Sequence, residues 1–423
     1  MRHITIYECF SELKISNELD DCCITQEEAN ELEIYITKAK LKKDNISWNR
    51  NSIVFINYVG FIKLSTVSIE ILPKIDISND YEVSRKSLIN MLNKSRIIDF
   101  NYSDIANLNI YNMSFNEILA LIFARTLQRE LVKGPYLEYI NIEDNSKVLK
   151  GSLLIKDHIR NISRNSSDVF CRFEEFSIDN SLNQIFNTCT SKVIQNVVNS
   201  ETIKILSHIK VIFSDVSTID IRRKVSLDYK FTRLNSRFEK SFILAKMLIG
   251  DYSSIGNKGS DNSFAILFEM NEVYERYIAN LLMINTENVN IYSQHSKYKL
   301  LKNEKTDRGI FSLKPDIVIE VEGKEKIIID TKWKKIDNRL NRHGVKREDF
   351  YQMYAYLTKY KDAKAAILLY PNNESIKCSE DEFLESWYLD DDKSKKVRVY
   401  SIDLSSEEDS IKKLQKVMSI NLI

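Results

Sequence analysis

The sequence is poor in chain-breakers and cysteines, and it lacks long apolar runs, an excess of either charge, and a phosphate-cradling glycine loop. Nine glycines and four prolines in 423 residues, beside 43% hydrophobic and 29% charged residues, exclude a collagen-like or disordered polymer and leave a globular chain. Six cysteines, two of them adjacent at Cys22 and Cys23, form no C-x-x-C pair, so reduced thiols are expected and neither zinc nor disulfides. No segment approaches the roughly 18 consecutive apolar residues of a spanning helix. Met1 to Phe10 alternates polar and apolar residues rather than forming a secretory core, so a cytoplasmic chain without a membrane partner is expected. Lysine and arginine total 61 against 60 acids, so a nucleic-acid partner would have to be met by a local patch. No G-x-x-x-x-G-K-[ST] occurs, and no nucleotide is expected on this chain itself. The histidines, His3, His158, His208, His295 and His343, lack H-x-E or H-E-x-x-H spacing and read as ordinary surface or core residues.

The length exceeds what one core carries and predicts an α/β (α+β) multi-domain protein. Residues 1–100 read as a small, mostly-β domain. Residues 101–248 read as a helical or mixed scaffold and interaction domain, 249–263 as a linker rich in small residues, and 264–423 as a mixed α/β unit. Thr25-Gln26-Glu27-Glu28 and Ser114-Phe115-Asn116-Glu117 are capping boxes that open helices. Phe115, Ile118, Leu119, Ile122, Phe123 and Leu127 form one apolar stripe, and Met270, Val273, Tyr274, Tyr277, Ile278, Leu281 and Leu282 another. Strands are expected over 52–64 and 67–72, then over 289–300, 314–321, 327–332, 364–370 and 397–404, with a helix over 348–360.

The chemistry gathers at Lys314-Pro315-Asp316 and Ile327-Ile328-Ile329-Asp330-Thr331-Lys332, two strands joined by the turn-rich 322–326. A register centred near Gly323 sets Asp316 opposite Asp330, and the period of two puts Lys332 on the same face. Two carboxylates and an ammonium suit metal-assisted attack of water on a phosphodiester: the acids hold Mg²⁺ and the lysine positions water. Like charges directly opposite otherwise repel. Glu275, Gln352 and Tyr356 are further candidates, the last two one turn apart on a helix. The segment from Lys332 to Arg347 holds seven basic residues and one acid. Its Lys334, Lys335, Arg339, Arg342, Lys346 and Arg347 form the local patch expected for DNA. Glu380 to Asp392, with seven acids and no base, reads as a solvated loop.

Pro315-Asp316 with Asp330-Thr331-Lys332 resembles the PD-(D/E)xK nuclease motif, and Gln352-x-x-x-Tyr356 resembles the helix motif of its RecB-like branch. With Trp333-Lys334, the helix from Asp349 to Tyr356 and Leu368-Leu369-Tyr370-Pro371, the pattern is similar to the McrC family. These are the nuclease subunits of methylcytosine-specific, GTP-dependent restriction systems. Tyr58-Val59-Gly60, Ile69 to Ile75, Lys150-Gly151-Ser152 and Glu175 to Asn180 extend the likeness over most of the chain.

The resemblance implies a C-terminal restriction-endonuclease-like mixed sheet flanked by helices. It implies Mg²⁺, replaceable by Mn²⁺, on Asp316, Asp330 and the Thr331 backbone carbonyl. It further implies a McrB-like AAA+ GTPase hexamer whose hydrolysis this chain stimulates, with the first two regions docking on the motor, and methylated double-stranded DNA as the substrate. Two other readings stay open: a non-catalytic adaptor of an NTPase ring, and a stand-alone RecB-like repair nuclease.

Overall fold

Reciprocal caps and β-branched runs decide where the first hundred residues change direction. The strands are β1 (Arg2–Tyr7), β2 (Leu13–Ile15), β3 (Cys23–Ile24), β4 (Ile46–Trp48), β5 (Ser52–Phe55), β6 (Tyr58–Lys63) and β7 (Val67–Leu72). The helices are α1 (Gln26–Lys38) and α2 (Tyr81–Lys94). The computed structural model describes residues 2–9, 11–16, 22–38, 41–75, 80–100, 113–219, 229–250, 264–373, 376 and 383–422. The expected linker, past Gly250, lies outside the described residues, as do 380–382 of the acidic run.

The first capping box closes on both sides. The Glu28 N–H donates to Thr25 Oγ1 at 3.2 Å, and the Thr25 N–H donates to Glu28 Oε2 at 2.8 Å. The same carboxylate accepts from Arg2 at 2.7 Å and Thr66 at 2.5 Å, tying the helix start to the sheet. β1 runs parallel to β7, β7 antiparallel to β6, and β2, β3, β4 and β5 make a second small sheet. Arg85 on α2 grips the buried Glu70 of β7 with two bonds of 2.7 and 2.6 Å, which compensates a carboxylate that burial would otherwise leave costly.

The middle region comprises α3 (Phe115–Val132), β8 (Glu138–Ser146), β9 (Ser152–Leu153), α4 (Ile155–Ser163), β10 (Val169–Ser177), α5 (Ser181–Val193), α6 (Ser200–Ile212) and α7 (Glu239–Gly250). All six residues of the α3 stripe are buried. Its capping box closes only halfway. Ser114 Oγ accepts the Glu117 N–H, but the Glu117 carboxylate accepts from the N–H groups of Val198 and Asn199 at 2.9 and 3.0 Å, where α6 begins. β8, β10 and β9 form an antiparallel sheet. Gly151 turns into β9 at φ +62°, where a Cβ would stand 2.3 Å from the Arg172 carbonyl oxygen, so no side chain fits.

The chain returns through β11 (Phe264–Glu269), on the β6 edge of the first sheet, into α8 (Met270–Asn285). All seven residues of the second predicted stripe are buried in α8. Then come β12 (Asn290–Ser293), β13 (Lys299–Lys302), β14 (Gly309–Ser312), β15 (Ile317–Val321), β16 (Lys324–Thr331), α9 (Arg347–Lys359), β17 (Ala365–Pro371), β18 (Glu385–Tyr388), β19 (Lys396–Ile402) and α10 (Glu407–Leu422). Six strands make one mixed sheet in the order β12-β15-β16-β17-β19-β18, with β16, β17 and β19 mutually parallel. Val318, Ile328, Ala366, Leu368 and Val399 line the face covered by Met353, Tyr356 and Leu357 of α9. Burying such side chains contributes roughly 1.5–3 kcal/mol each. α8 and α10 pack on each other and on the sheet.

Three expectations change. The span 289–300 holds two short strands, β12 and β13, rather than one. Residues 385–388 of the acidic run form an edge strand instead of a solvated loop, because Trp387 packs its ring against Phe350 at 4.9 Å. The C-terminal helix α10 was not anticipated.

The compact units do not follow chain order. Met1–Asp99 and Leu267–Ile423 form one unit, and Phe100–Ile266 forms the other. Within the first unit α2 packs on α8, and the Met270 N–H donates to the Asn57 carbonyl at 3.0 Å. The segments read as first and last domains therefore share a unit. No helix of the described residues is long and apolar enough to cross a membrane. Gly151→Ala is expected to destabilise the chain by about 1–3 kcal/mol, because the turn must shift away from Arg172, and urea unfolding measures it.

Candidate active site

The β15–β16 ribbon sets the geometry of the site. Its turn is only two residues, Glu322 at φ +50° and Gly323 at φ +76°, the left-handed pair of a type I′ turn. From there Val321 pairs with Lys324 and Glu320 with Glu325. The register then shifts, so Ile319 pairs with Ile327 and Ile317 with Ile329, leaving Lys326 as the extra residue of a bulge. The shifted register, extended by one residue, brings Asp316 opposite Asp330. Without the bulge the two acids would sit on opposite faces, since a one-residue slip reverses every side chain. The sequence reading reached the right register through the wrong turn: it centred the ribbon on Gly323 and took 322–326 as the connection.

The two aspartates, Lys332 and α9 share one face of the sheet. Asp316 Oδ2 accepts the Thr331 N–H and the Thr331 hydroxyl, each at 2.8 Å. Asp330, 1% exposed, touches the Lys332 ammonium through Oδ2 and accepts from Gln352 Nε2 at 3.1 Å and the Tyr356 hydroxyl at 3.4 Å through Oδ1. Gln352 Oε1 in turn accepts from Lys332 Nζ at 2.9 Å, so the amide bridges the acid and the amine. The Lys332 N–H donates to the Leu369 carbonyl at 2.9 Å, which anchors its backbone to β17. Glu275 on α8 accepts from the Gln294 side chain, and the Gln294 N–H donates to the Asp316 carbonyl at 2.8 Å.

Burial and mutual repulsion shape the charges. Burial raises Asp316 to about 6, helped by the nearby charge of Glu275 and opposed by the two Thr331 bonds. Burial, followed by Asp316, raises Asp330 to about 6 against the pull of Lys332. Burial also raises Glu275, with Gln294 opposing it and Asp330 adding to it. Burial works against a charged Lys332, but Asp330, Asp349 and Asp316 outweigh it and hold the amine above its ordinary range, firmly protonated.

Among the described residues no group of three or more His, Cys, Asp or Glu side chains gathers to hold a metal. The donors at hand are hard carboxylate oxygens. That set fits Mg²⁺, which binds through one or two carboxylates and fills its remaining positions with waters and phosphate oxygens.

A family model described as McrBC 5-methylcytosine restriction system component matches residues 53–371, most of the chain and every residue of this cluster. The chain belongs to that family. A chain from the refined half-complex of a tetradecameric assembly of Thermococcus gammatolerans McrB AAA+ hexamers with bound McrC is similar over 100% of both chains, at 21% identity and a TM-score of 0.75. A chain of the Thermococcus gammatolerans McrBC complex is similar over 67% of this chain and 88% of its own, at 24% identity and a TM-score of 0.52. At these identities the likeness establishes a shared fold. No curated protein matches.

Residues that sequence reasoning passed over complete the cluster in this McrBC-family chain. Asp349, in the first turn of α9, lies 3.8 Å from Lys332 Nζ and 3.3 Å from Lys334 Nζ, and accepts from the Tyr370 hydroxyl at 3.3 Å. The fold brings Asp349 to Lys332 and the Tyr370 hydroxyl to Asp349. The basic segment is exposed at Lys334, Lys335, Arg339, Arg342, Lys346 and Arg347. Lys334 pairs with Asp349, and Arg339 with Asp337 at 2.6 Å.

Because both aspartates titrate higher folded than unfolded, the folded chain binds protons between about 4 and about 6 that the unfolded chain does not. Metal-free stability therefore rises as pH falls through that window. Melting at pH 5.5 is expected above that at pH 7.5. Asp316→Asn keeps an acceptor for Thr331 and removes one charge, so it should narrow that difference and stabilise the metal-free chain at pH 7.5 by on the order of 1–2 kcal/mol. Scanning fluorimetry across pH reads both effects, and a variant that melts lower would contradict them.

Proposed function

We propose that this chain is the catalytic subunit of a GTP-dependent, modification-directed restriction complex, an endodeoxyribonuclease of the PD-(D/E)xK type. The observation that carries the reading is the meeting of Asp316 and Asp330 across one ribbon with Lys332 in contact and Gln352 bridging. The six-stranded mixed sheet with helices packed on it supports a restriction-endonuclease-like domain. Membership of the McrBC family supports the restriction role.

Asp316, Asp330 and Asp349 act on the Lys332 ammonium, Lys334 pairs with Asp349, and Glu275 adds its charge at Asp316, so acids outnumber bases around Asp330 and a divalent cation would offset the excess. Asp316, Asp330 and the Thr331 carbonyl are the groups assigned to Mg²⁺, for which Mn²⁺ would substitute. When bound, the ion would neutralise charge on the scissile phosphate and make a bound water more acidic. The residues do the rest. Lys332, held protonated, donates to the attacking water or a phosphate oxygen, and Gln352 and Tyr356 fix Lys332 and Asp330 in place. Glu275 bears on Asp316 through charge. The exposed bases from Lys334 to Arg347 supply phosphate contacts to double-stranded DNA, which we take to be methylated.

The relatives' assembly supports a McrB-like AAA+ hexamer as partner, with GTP hydrolysed there and stimulated by this chain, which has no P-loop of its own. Residues 1–100 and the middle region are the proposed docking parts.

In a mixture of this chain, the partner, Mg²⁺, GTP and methylated duplex DNA, Asp330→Ala should lower cleavage by at least about a thousandfold and leave partner binding and GTPase stimulation intact. Retained cleavage would refute the assignment and favour an adaptor. Cutting without partner and GTP would favour a stand-alone RecB-like nuclease. Lys332→Ala should also lower cleavage while Mg²⁺ still raises the melting temperature, which separates its role from metal holding.

A further inference from the structure

The β13–β14 ribbon stands apart from the cluster yet leads into it, since Leu313, Lys314 and Pro315 connect β14 to Asp316. It presents apolar side chains to solvent: Leu301 is 53% exposed, Ile310 40% and Phe311 67%. Phe311 also sits at φ +57°, a left-handed backbone that a bulky residue adopts only when its surroundings impose it, and such strain gathers at functional positions. The register pairs Lys299 with Ser312 and Leu301 with Ile310, which sets Phe311 across from Leu300. Leu300 packs partly buried against the core, whereas Phe311 does not join it.

Charge adds a second signal. Residues 299–314 carry Lys299, Lys302, Lys305, Arg308 and Lys314 against Glu304 and Asp307. Lys302 spends its charge on Asp307 at 3.2 Å, and the other four bases form no ion pair among the described residues.

We propose that this ribbon is a DNA-contacting arm that feeds the duplex to Asp316, an inference that rests on the nuclease reading above. Lys305 and Arg308, near the ribbon's tip, meet phosphates, and Phe311 lies against a groove wall or base step. A two-stranded ribbon has the width to enter the major groove, and exposed apolar side chains serve as wedges between base steps. A chain close to neutral overall gains its local attraction for DNA from such arms.

The test uses the full chain carrying Asp330→Asn, so that binding is read without cutting, and a fluorescent 20-base-pair duplex titrated at several salt concentrations. Lys305→Ala with Arg308→Ala should weaken binding roughly tenfold at low salt and flatten the salt dependence of log affinity by about 2. Phe311→Gly relieves the backbone, so it should keep the melting temperature while weakening binding several-fold. Unchanged affinity and slope in the double variant would overturn the proposal. So would loss of co-elution with the AAA+ partner at unchanged DNA affinity, which would assign the ribbon to a protein contact. A Phe311→Gly chain that melts lower and binds normally would make the residue structural and likewise overturn it. Failure of the wild-type complex to cut would sink the nuclease reading and leave the binding result standing.

Discussion

One extra residue in a β-ribbon decides whether Asp316 and Asp330 can meet. Lys326 bulges out between the pairs Glu320–Glu325 and Ile319–Ile327, and only beyond it do Asp316 and Asp330 come to share a face. The tight Glu322–Gly323 turn fixes the register at one end, and the unbroken apolar run from Ile327 to Ile329 fixes it at the other, because a slip would move Asp330 out from under α9. The site is thus a consequence of core packing. The hydrophobic ladder cannot shift without losing several buried isoleucines, and the acids are carried along with it.

That arrangement holds repulsion in place. Burial raises the proton affinity of both carboxylates, with Glu275 adding to it at Asp316 and Asp316 adding to it at Asp330, and neither can move away because each is tied down, Asp316 by Thr331 and Asp330 by Gln352 and Tyr356. Lys332 relieves part of the strain through its contact with Asp330, and Asp349 draws on the same amine from 3.8 Å. A single protonated amine cannot balance several acids at this distance. The deficit is a property of side chains already in position, and in the proposed nuclease it is what a cation would offset.

Much of this was legible in the residues. Period-two alternation placed Asp316, Asp330 and Lys332 together, helical spacing placed Gln352 and Tyr356 on one face of α9, and both apolar stripes proved buried. Other features depend on contacts that no local pattern encodes. The bulge at Lys326 leaves no signature in a run of alternating charges. Asp349 and Tyr370 join the cluster because β17 runs parallel to β16 and brings the Tyr370 hydroxyl to Asp349 at the start of α9. The acidic 385–388 looked solvated because charge hid the packing value of Trp387. Chain order carries no hint that 1–99 and 267–423 share one compact unit.

The joining of those two segments bears on the site itself. Glu8, at the end of β1, is buried and accepts the indole N–H of Trp333 at 2.5 Å, and burial raises its pKa well above the ordinary carboxylate range against that bond. Trp333 also packs its ring 5.3 Å from that of Tyr274 on α8. The residue next to Lys332 in the chain is therefore clamped by the first strand and by the helix that carries Glu275, while Lys332 itself is pinned through its N–H to β17. A carboxylate in so apolar a place is costly unless it is bonded or neutral, so the contact persists only while both segments stay packed. The amine's position is thus a joint property of residues more than 300 apart in the chain.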